Sequence, residues 1–171
     1  MTIGGIPLPS SAPLFLGTLA VHLAAGVVAV VAGLVAMFAA KRDGRHTRFG
    51  RIYLRALTVV GATMLVLAAM RWSEDRILFL LGVGALVGGF VARFAIRRRR
   101  WIRVHITGMG ASYTLLLIAF YVDNGAHLPI WRLLPKIWYW LLPTVVGATL
   151  IGRALLLHPI LRETGEARTR Q

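Results

Sequence analysis

The chain of 171 residues contains no cysteine. Disulfide bonds, iron–sulfur clusters and thiol catalysis are therefore all excluded. Any chemistry that the chain performs has to be carried by other side chains.

Carboxylates are also scarce, and none of them lies within a long apolar run. The chain has six acidic residues against twenty basic ones, and the six are Asp43, Glu74, Asp75, Asp123, Glu163 and Glu166. Transporters coupled to protons or ions usually keep an ionisable group near the middle of the membrane. The sequence therefore disfavours a coupled transporter, and it offers no paired-carboxylate hydrolase site.

Apolar residues, in contrast, are abundant. They make up 57% of the chain, the mean hydropathy is +0.71, and only 15% of the residues are charged. Soluble domains are typically about half apolar and about a quarter charged, so the composition indicates an integral membrane protein. The net charge of +14 is confined to short connections between apolar runs, which fits membrane insertion better than nucleic-acid binding.

Five apolar segments are long enough to cross a membrane, since a transmembrane helix needs around 20 residues. The runs are continuous and do not alternate, which indicates helices rather than strands. We therefore predict an all-α bundle of five transmembrane helices in a single domain, residues 1–161, followed by a disordered cytosolic tail, residues 162–171. The predicted spans are about 13–39, 52–70, 77–96, 104–122 and 137–157.

Basic residues alternate between successive connections. No Lys or Arg precedes the first span, and the later connections with the ends of the adjoining spans contain six (41–55), two (71–76), six (93–103), two (123–136) and four (from Arg153 onward). The basic loops 41–55 and 93–103 are therefore predicted to be cytoplasmic, with the N-terminus outside and the C-terminus inside. This pattern predicts a multi-pass protein of the bacterial cytoplasmic membrane whose inner loops contact anionic lipid headgroups.

Two further features concern packing. Segment 125–137 is too polar to span the membrane and too apolar for an ordinary loop, so we expect it to lie on the outer surface or to re-enter the membrane. The third span is rich in glycine, which favours close helix packing and leaves a monomer, a homo-oligomer and a complex with another membrane protein open. No repeat with a period of 20–50 residues stands out.

The five histidines fall into two layers at different depths. At 1.5 Å per residue, His22 lies about 28 Å from the inner end of the first span, so it belongs to the outer half. His127 follows in the outer segment. His46, His105 and His158 lie at the inner ends of spans. Ligands of one metal or haem must share a depth, so His22 and His105 cannot bind the same iron.

Each layer contains one candidate site. His46 and His105 are predicted inner ligands of a haem or a metal ion, because neutral imidazole is a common axial haem ligand and the commonest metal ligand. His22, Asp123 and His127 are a candidate outer divalent-metal site, such as a zinc site with water as the fourth ligand.

The alternative is that the histidines only pack. A histidine on a packed membrane face can be satisfied by a backbone carbonyl or by a hydroxyl such as that of Ser112. Ser112 shares a face of the fourth span with His105, and Tyr113 flanks them. On this interpretation the protein is a structural or accessory membrane protein without a cofactor.

Three motifs resemble those of a family of bacterial multi-pass membrane proteins, a domain family of unknown function. The resemblance covers most of residues 20–150. It rests on HxxxG in the first helix, HxxxGRxY in the first inner loop, and a histidine that opens a helix after a basic loop. In this chain the matching residues are His22 with Gly26, then His46, Gly50, Arg51 and Tyr53 in HTRFGRIY, and His105 after RRRRWIRV.

The resemblance implies a helical membrane bundle that is broadly similar to membrane b-type cytochromes, in which histidines on neighbouring helices hold haem b. The predicted second and third spans contain no histidine, so one haem at most is expected. Three functions are therefore open: a haem- or metal-binding redox component, a metal-dependent hydrolase acting at the outer face, and a non-catalytic structural protein.

Overall fold

The structure, a computed structural model of the chain, describes residues 2–3, 6–7, 12–40, 44–96 and 101–157. These ranges contain five helices long and apolar enough to cross a membrane, as predicted. The helices are α1 (Pro13–Phe38), α2 (Arg45–Met70), α3 (Trp72–Ala95), α4 (Ile102–Asn124) and α5 (Trp138–Leu157). Near the N-terminus, Thr2–Ile3 pairs with Ile6–Pro7 as two short antiparallel strands, and the rest of the regular structure in the described ranges is helical, as predicted. His158 and the predicted tail lie outside the described residues.

The largest difference from the predicted spans is at the start of α2. The prediction begins this span at residue 52, whereas the helix begins at Arg45. Hydropathy marks only the part of a helix that suits hydrocarbon, and the hydrogen-bonded helix continues beyond it. Arg45, Arg48 and Arg51 lie on this extension with their side chains exposed. The basic stretch from residue 45 onward is therefore an ordered part of α2 and not a loop.

The helices α1 to α4 pack antiparallel to their neighbours and enclose the core. The closest pairs are α1 with α2 and α3 with α4, while α2 also packs on α3 and α4 reaches α1. Small residues allow this approach, since Ala29 and Ala85 are completely or almost completely buried. Tyr53 and Tyr113 fill the centre between them.

Helix α5 packs on α4 and leaves most of its surface exposed, with Tyr139 and Pro143 as its buried residues. Between α4 and α5 the chain forms two 3-10 turns, Gly125–His127 and Trp131–Leu133. Trp131 stacks on Tyr121 with 3.9 Å between the ring centroids, so this connection folds against the end of α4. Its position relative to the membrane surface stays a prediction.

Both basic connections lie at the same end of the bundle. His46 at the start of α2 contacts the last turn of α1, and His105 near the start of α4 contacts the last turn of α3. The two histidine rings lie edge to face with their centroids 6.2 Å apart, so these two junctions meet. We call this the histidine end. It holds the end of α1, the start of α2, the end of α3 and the start of α4, and its orientation toward the cytoplasm stays a prediction from charge.

The first helices of the two hairpins, α1–α2 and α3–α4, share a repeated sequence. Residues 26–39 read GVVAVVAGLVAMFA and residues 82–95 read GVGALVGGFVARFA, with nine of fourteen positions identical. The offset is 56 residues in the first helix of each hairpin, and His46 and His105 are 59 residues apart in the second. Both offsets are longer than the 20–50-residue period typical of repeat proteins.

Candidate functional site

His46 is the second residue of α2 and is held against the end of α1. Its Nδ1 donates a hydrogen bond of 2.8 Å to the carbonyl oxygen of Ala36. This carbonyl belongs to the last turn of α1, where backbone oxygens lack helical partners. Gly44 precedes α2 with φ of 70°, a left-handed conformation that glycine adopts without steric cost. The turn brings His46 back onto the preceding helix.

His105 makes the same contact in the second hairpin. Its Nδ1 donates a hydrogen bond of 3.0 Å to the carbonyl oxygen of Ala92. Ala36 and Ala92 occupy the same position of the repeat, 56 residues apart. Each histidine therefore binds the matching carbonyl of the helix before it. The two half-buried rings lie with centroids 6.2 Å apart and planes at 75°.

These hydrogen bonds define the tautomer of both rings. A backbone carbonyl can only accept a hydrogen bond, so each Nδ1 carries the proton. In a neutral imidazole the lone pair is then on Nε2, the form in which histidine ligates metals. Metal-ligating histidines usually donate their other N–H to a carboxylate or a backbone carbonyl in this manner. The anchoring that the two hairpins provide is therefore the anchoring that a metal site needs.

The hydroxyl groups of Tyr53, Ser112 and Tyr113 lie next along the bundle, and we call them the tyrosine layer. The hydroxyl groups of Tyr53 and Ser112 are 2.7 Å apart, and Ser112 donates to the carbonyl of Ala85. Tyr113 donates directly to the carbonyl of Val30 on α1 over 3.0 Å. Each tyrosine is thus connected to the first helix of the other hairpin. Ser112, which the sequence suggested as a partner for a histidine, bonds to this layer instead.

The remaining motif residues of the first hairpin have different surroundings. Arg51 is exposed on the side of α2. A Cβ added at Gly50 or Gly26 would meet nothing within 4 Å, so close packing does not explain either glycine. Gly33, which belongs to neither motif, has the tight contact: a Cβ there would lie 2.5 Å from the Tyr113 ring.

The outer layer takes a different form from the predicted metal site. His22 and Asp123 line one cavity at the end of the bundle opposite the histidine end, which we call the cavity end. His22 Nδ1 lies 2.9 Å from Thr63 Oγ1. His127 lies in the exposed turn beyond α4. Within the described ranges, no three His, Asp or Glu side chains form a group able to hold a metal ion, so the outer site stays a prediction.

Arg71 adds a charged group that sequence reasoning did not single out. It lies at the junction of α2 and α3 and lines the same cavity. It forms ion pairs with Glu74 and, at 3.8 Å, with Asp75. The signal in the sequence was the spacing RWSED, which places both carboxylates one helical turn from the guanidinium.

The described structure therefore contains two separate polar regions, the His46–His105 pair and the mouth of the cavity, with the tyrosine layer between them. Comparisons with family models, with curated proteins and with solved structures give no match.

Proposed function

We propose that the protein is a haem-binding component of a cell membrane, with His46 and His105 as the two axial ligands of one haem b. One observation carries this proposal: the two rings lie 6.2 Å apart, each anchored through Nδ1 to the matching carbonyl of its hairpin. Two imidazoles on one metal, with metal–nitrogen bonds of about 2 Å, have a separation of this order.

The number of ligands favours haem over a bare ion. Zinc sites generally take three or four protein ligands. The porphyrin supplies the equatorial ligands of haem iron, so only the axial positions need side chains. A pair of histidines is a complete ligand set for haem, and it is what the histidine end provides.

Charge at the histidine end supports the same proposal. Arg45, Arg48 and Arg51 lie exposed on the first turns of α2, and Arg103 lies exposed beside His105 on α4. Haem carries carboxylate groups on its edge, and arginine pairs with carboxylates through paired hydrogen bonds. These arginines would hold the edge of the haem, while the carbonyls of the two hairpins orient the axial rings. Bound haem would supply one-electron redox chemistry.

The test is a visible spectrum of the purified protein, with bound metals measured on the same sample. The protein is produced in cells supplied with haem precursor, and His46→Ala and His105→Ala are compared with His127→Ala as the control. We expect a Soret band in the wild type and the control, and less than a tenth of it in the two inner variants.

Two results would overturn the proposal. Colourless, metal-free wild-type protein would show that His46 and His105 bind no cofactor and only join the two helices of each hairpin. Colourless protein that retains stoichiometric metal, lost in His105→Ala, would assign a metal ion to the pair.

A further inference from the structure

A cavity of about 370 Å³ opens among α1, α2, α3 and α4 at the cavity end. Its lining along α1 runs from Phe15 to Val31, a distance of about 24 Å at the helical rise. Ligand pockets commonly have volumes of about 300–1,000 Å³. The cavity is narrow, because its volume is at the low end of this range and extends over about 24 Å. It suits a single hydrocarbon chain better than a fused ring system or a two-chain lipid.

The inner end of the cavity is apolar and adjoins the tyrosine layer. Val30, Leu57, Ala85 and Leu116 line this part. The carbonyls of Val30 and Ala85 are the ones that accept hydrogen bonds from Tyr113 and Ser112. The polar backbone atoms at this depth are therefore satisfied by the tyrosine layer, and the cavity presents hydrocarbon to whatever enters it.

The mouth of the cavity, in contrast, is polar and negatively charged. Asp75 and Asp123 line it, and Glu74 lies beside it in an ion pair with Arg71. Arg71 also pairs with Asp75, so this guanidinium is shared by two carboxylates, and Asp123 is a third carboxylate at the mouth without an ion pair to Arg71 among the described contacts. A ligand head that carries negative charge would meet this excess of like charge.

His22 adds a hydrogen-bond acceptor to the mouth. Thr63 Oγ1 donates its single proton to the carbonyl of Val59 over 2.8 Å or to that of Val60 over 3.0 Å. It therefore accepts from His22 Nδ1, and the neutral ring keeps its lone pair on Nε2. The mouth is thus rich in acceptors, which a head group that donates hydrogen bonds would match.

We propose that this cavity binds a single-chain amphiphile whose head donates hydrogen bonds, a long-chain alcohol or amine, with its chain toward the tyrosine layer and its head at His22 and Asp123. The class follows from the length, the apolar inner end and the acceptor-rich mouth. The proposal is independent of haem binding, because the cavity lies at the opposite end of the bundle from His46 and His105.

The test compares three ligands with the same chain and different heads. Labelled dodecanol, dodecylamine and dodecanoate are dialysed to equilibrium against the full-length protein in detergent, with empty micelles as the blank. We expect the alcohol and the amine to bind at least tenfold more tightly than the carboxylate. Equal or tighter binding of dodecanoate, or no binding above the blank, would overturn the proposal.

A pair of glycine variants locates the binding. Gly26 lines the cavity and a Cβ there meets nothing within 4 Å, so the side chain of Gly26→Leu starts in open space and takes up volume in the cavity. Gly17→Leu on the exposed side of the same helix is the matched control. Dodecanol affinity should fall at least tenfold in Gly26→Leu alone. Equal affinity in both variants would place the ligand elsewhere.

Asp123→Asn tests the head group. Removing this charge should reduce the preference for dodecylamine over dodecanoate at least threefold, while dodecanol binding changes little. An unchanged preference would show that the head group of the ligand does not interact with Asp123 at the mouth.

Discussion

The two hairpins, α1–α2 and α3–α4, are alike at one end and different at the other. In each, a histidine of the second helix donates a hydrogen bond to the matching alanine carbonyl of the first helix. Ala36 with His46 is repeated by Ala92 with His105. At the cavity end, the position of His22 is taken by Leu78 in the second copy, at the same offset of 56. The histidine end is therefore symmetric, as expected if His46 and His105 bind one haem from opposite sides. The cavity end is not symmetric, as expected if it binds an amphiphile in one orientation.

The largest expected effect tests the symmetric end. Asparagine can donate to the same carbonyl as histidine Nδ1 but offers no imidazole ligand, so His46→Asn and His105→Asn should remain folded and each lose more than nine-tenths of the Soret absorbance. Visible spectra and thermal unfolding of the two variants check this. If one variant kept its haem, the two copies would not contribute equally.

The next effect tests the close packing at the centre. Gly33→Ala places a methyl group 2.5 Å from the Tyr113 ring, and overpacking of this kind costs about 2–3 kcal/mol of unfolding free energy. Gly26→Ala is the control, because its Cβ meets nothing and alanine favours the helix. Thermal unfolding in detergent compares them, and equal melting temperatures would contradict the packing described.

A smaller effect distinguishes the two hydrogen bonds of the tyrosine layer, Tyr53 with Ser112 and Tyr113 with the carbonyl of Val30. Ser112→Ala deprives the buried Tyr53 hydroxyl of its partner and should cost about 1–2 kcal/mol. Tyr113→Phe removes one hydrogen bond to a carbonyl and should cost about 1 kcal/mol. The unfolding free energies of the two variants check this. A smaller loss in Ser112→Ala than in Tyr113→Phe would contradict the hydrogen bonds described for this layer.

The smallest effect makes the first hairpin resemble the second. His22→Leu installs the residue found at the matching position 78, and Thr63 keeps its bond to the carbonyl of Val59. The free energy of unfolding should change by about 0.5 kcal/mol or less, and the Soret band should stay intact. A loss of haem in this variant would contradict the independence of the cavity end and the histidine end.

Hydropathy and charge were sufficient to predict five helices, and depth was sufficient to group His46 with His105. The start of α2 at Arg45 could not be predicted, because hydropathy does not follow a helix into its charged extension. The Nδ1 hydrogen bonds depend on backbone carbonyls of other helices, which no side-chain pattern reveals. The cavity depends on how four helices leave space between them, and sequence periodicity carries no such information.

The repeat also has a consequence for how the chain enters a membrane. A helical hairpin crosses twice, so a second copy begins on the same side as the first. Each hairpin carries six basic residues around its turn, in 41–55 and 93–103, and so has its own signal for orientation. Helix α5 has no counterpart in the repeat. As a single added crossing, it would put the end of α5 on the face opposite the start of α1, in agreement with the topology predicted from charge.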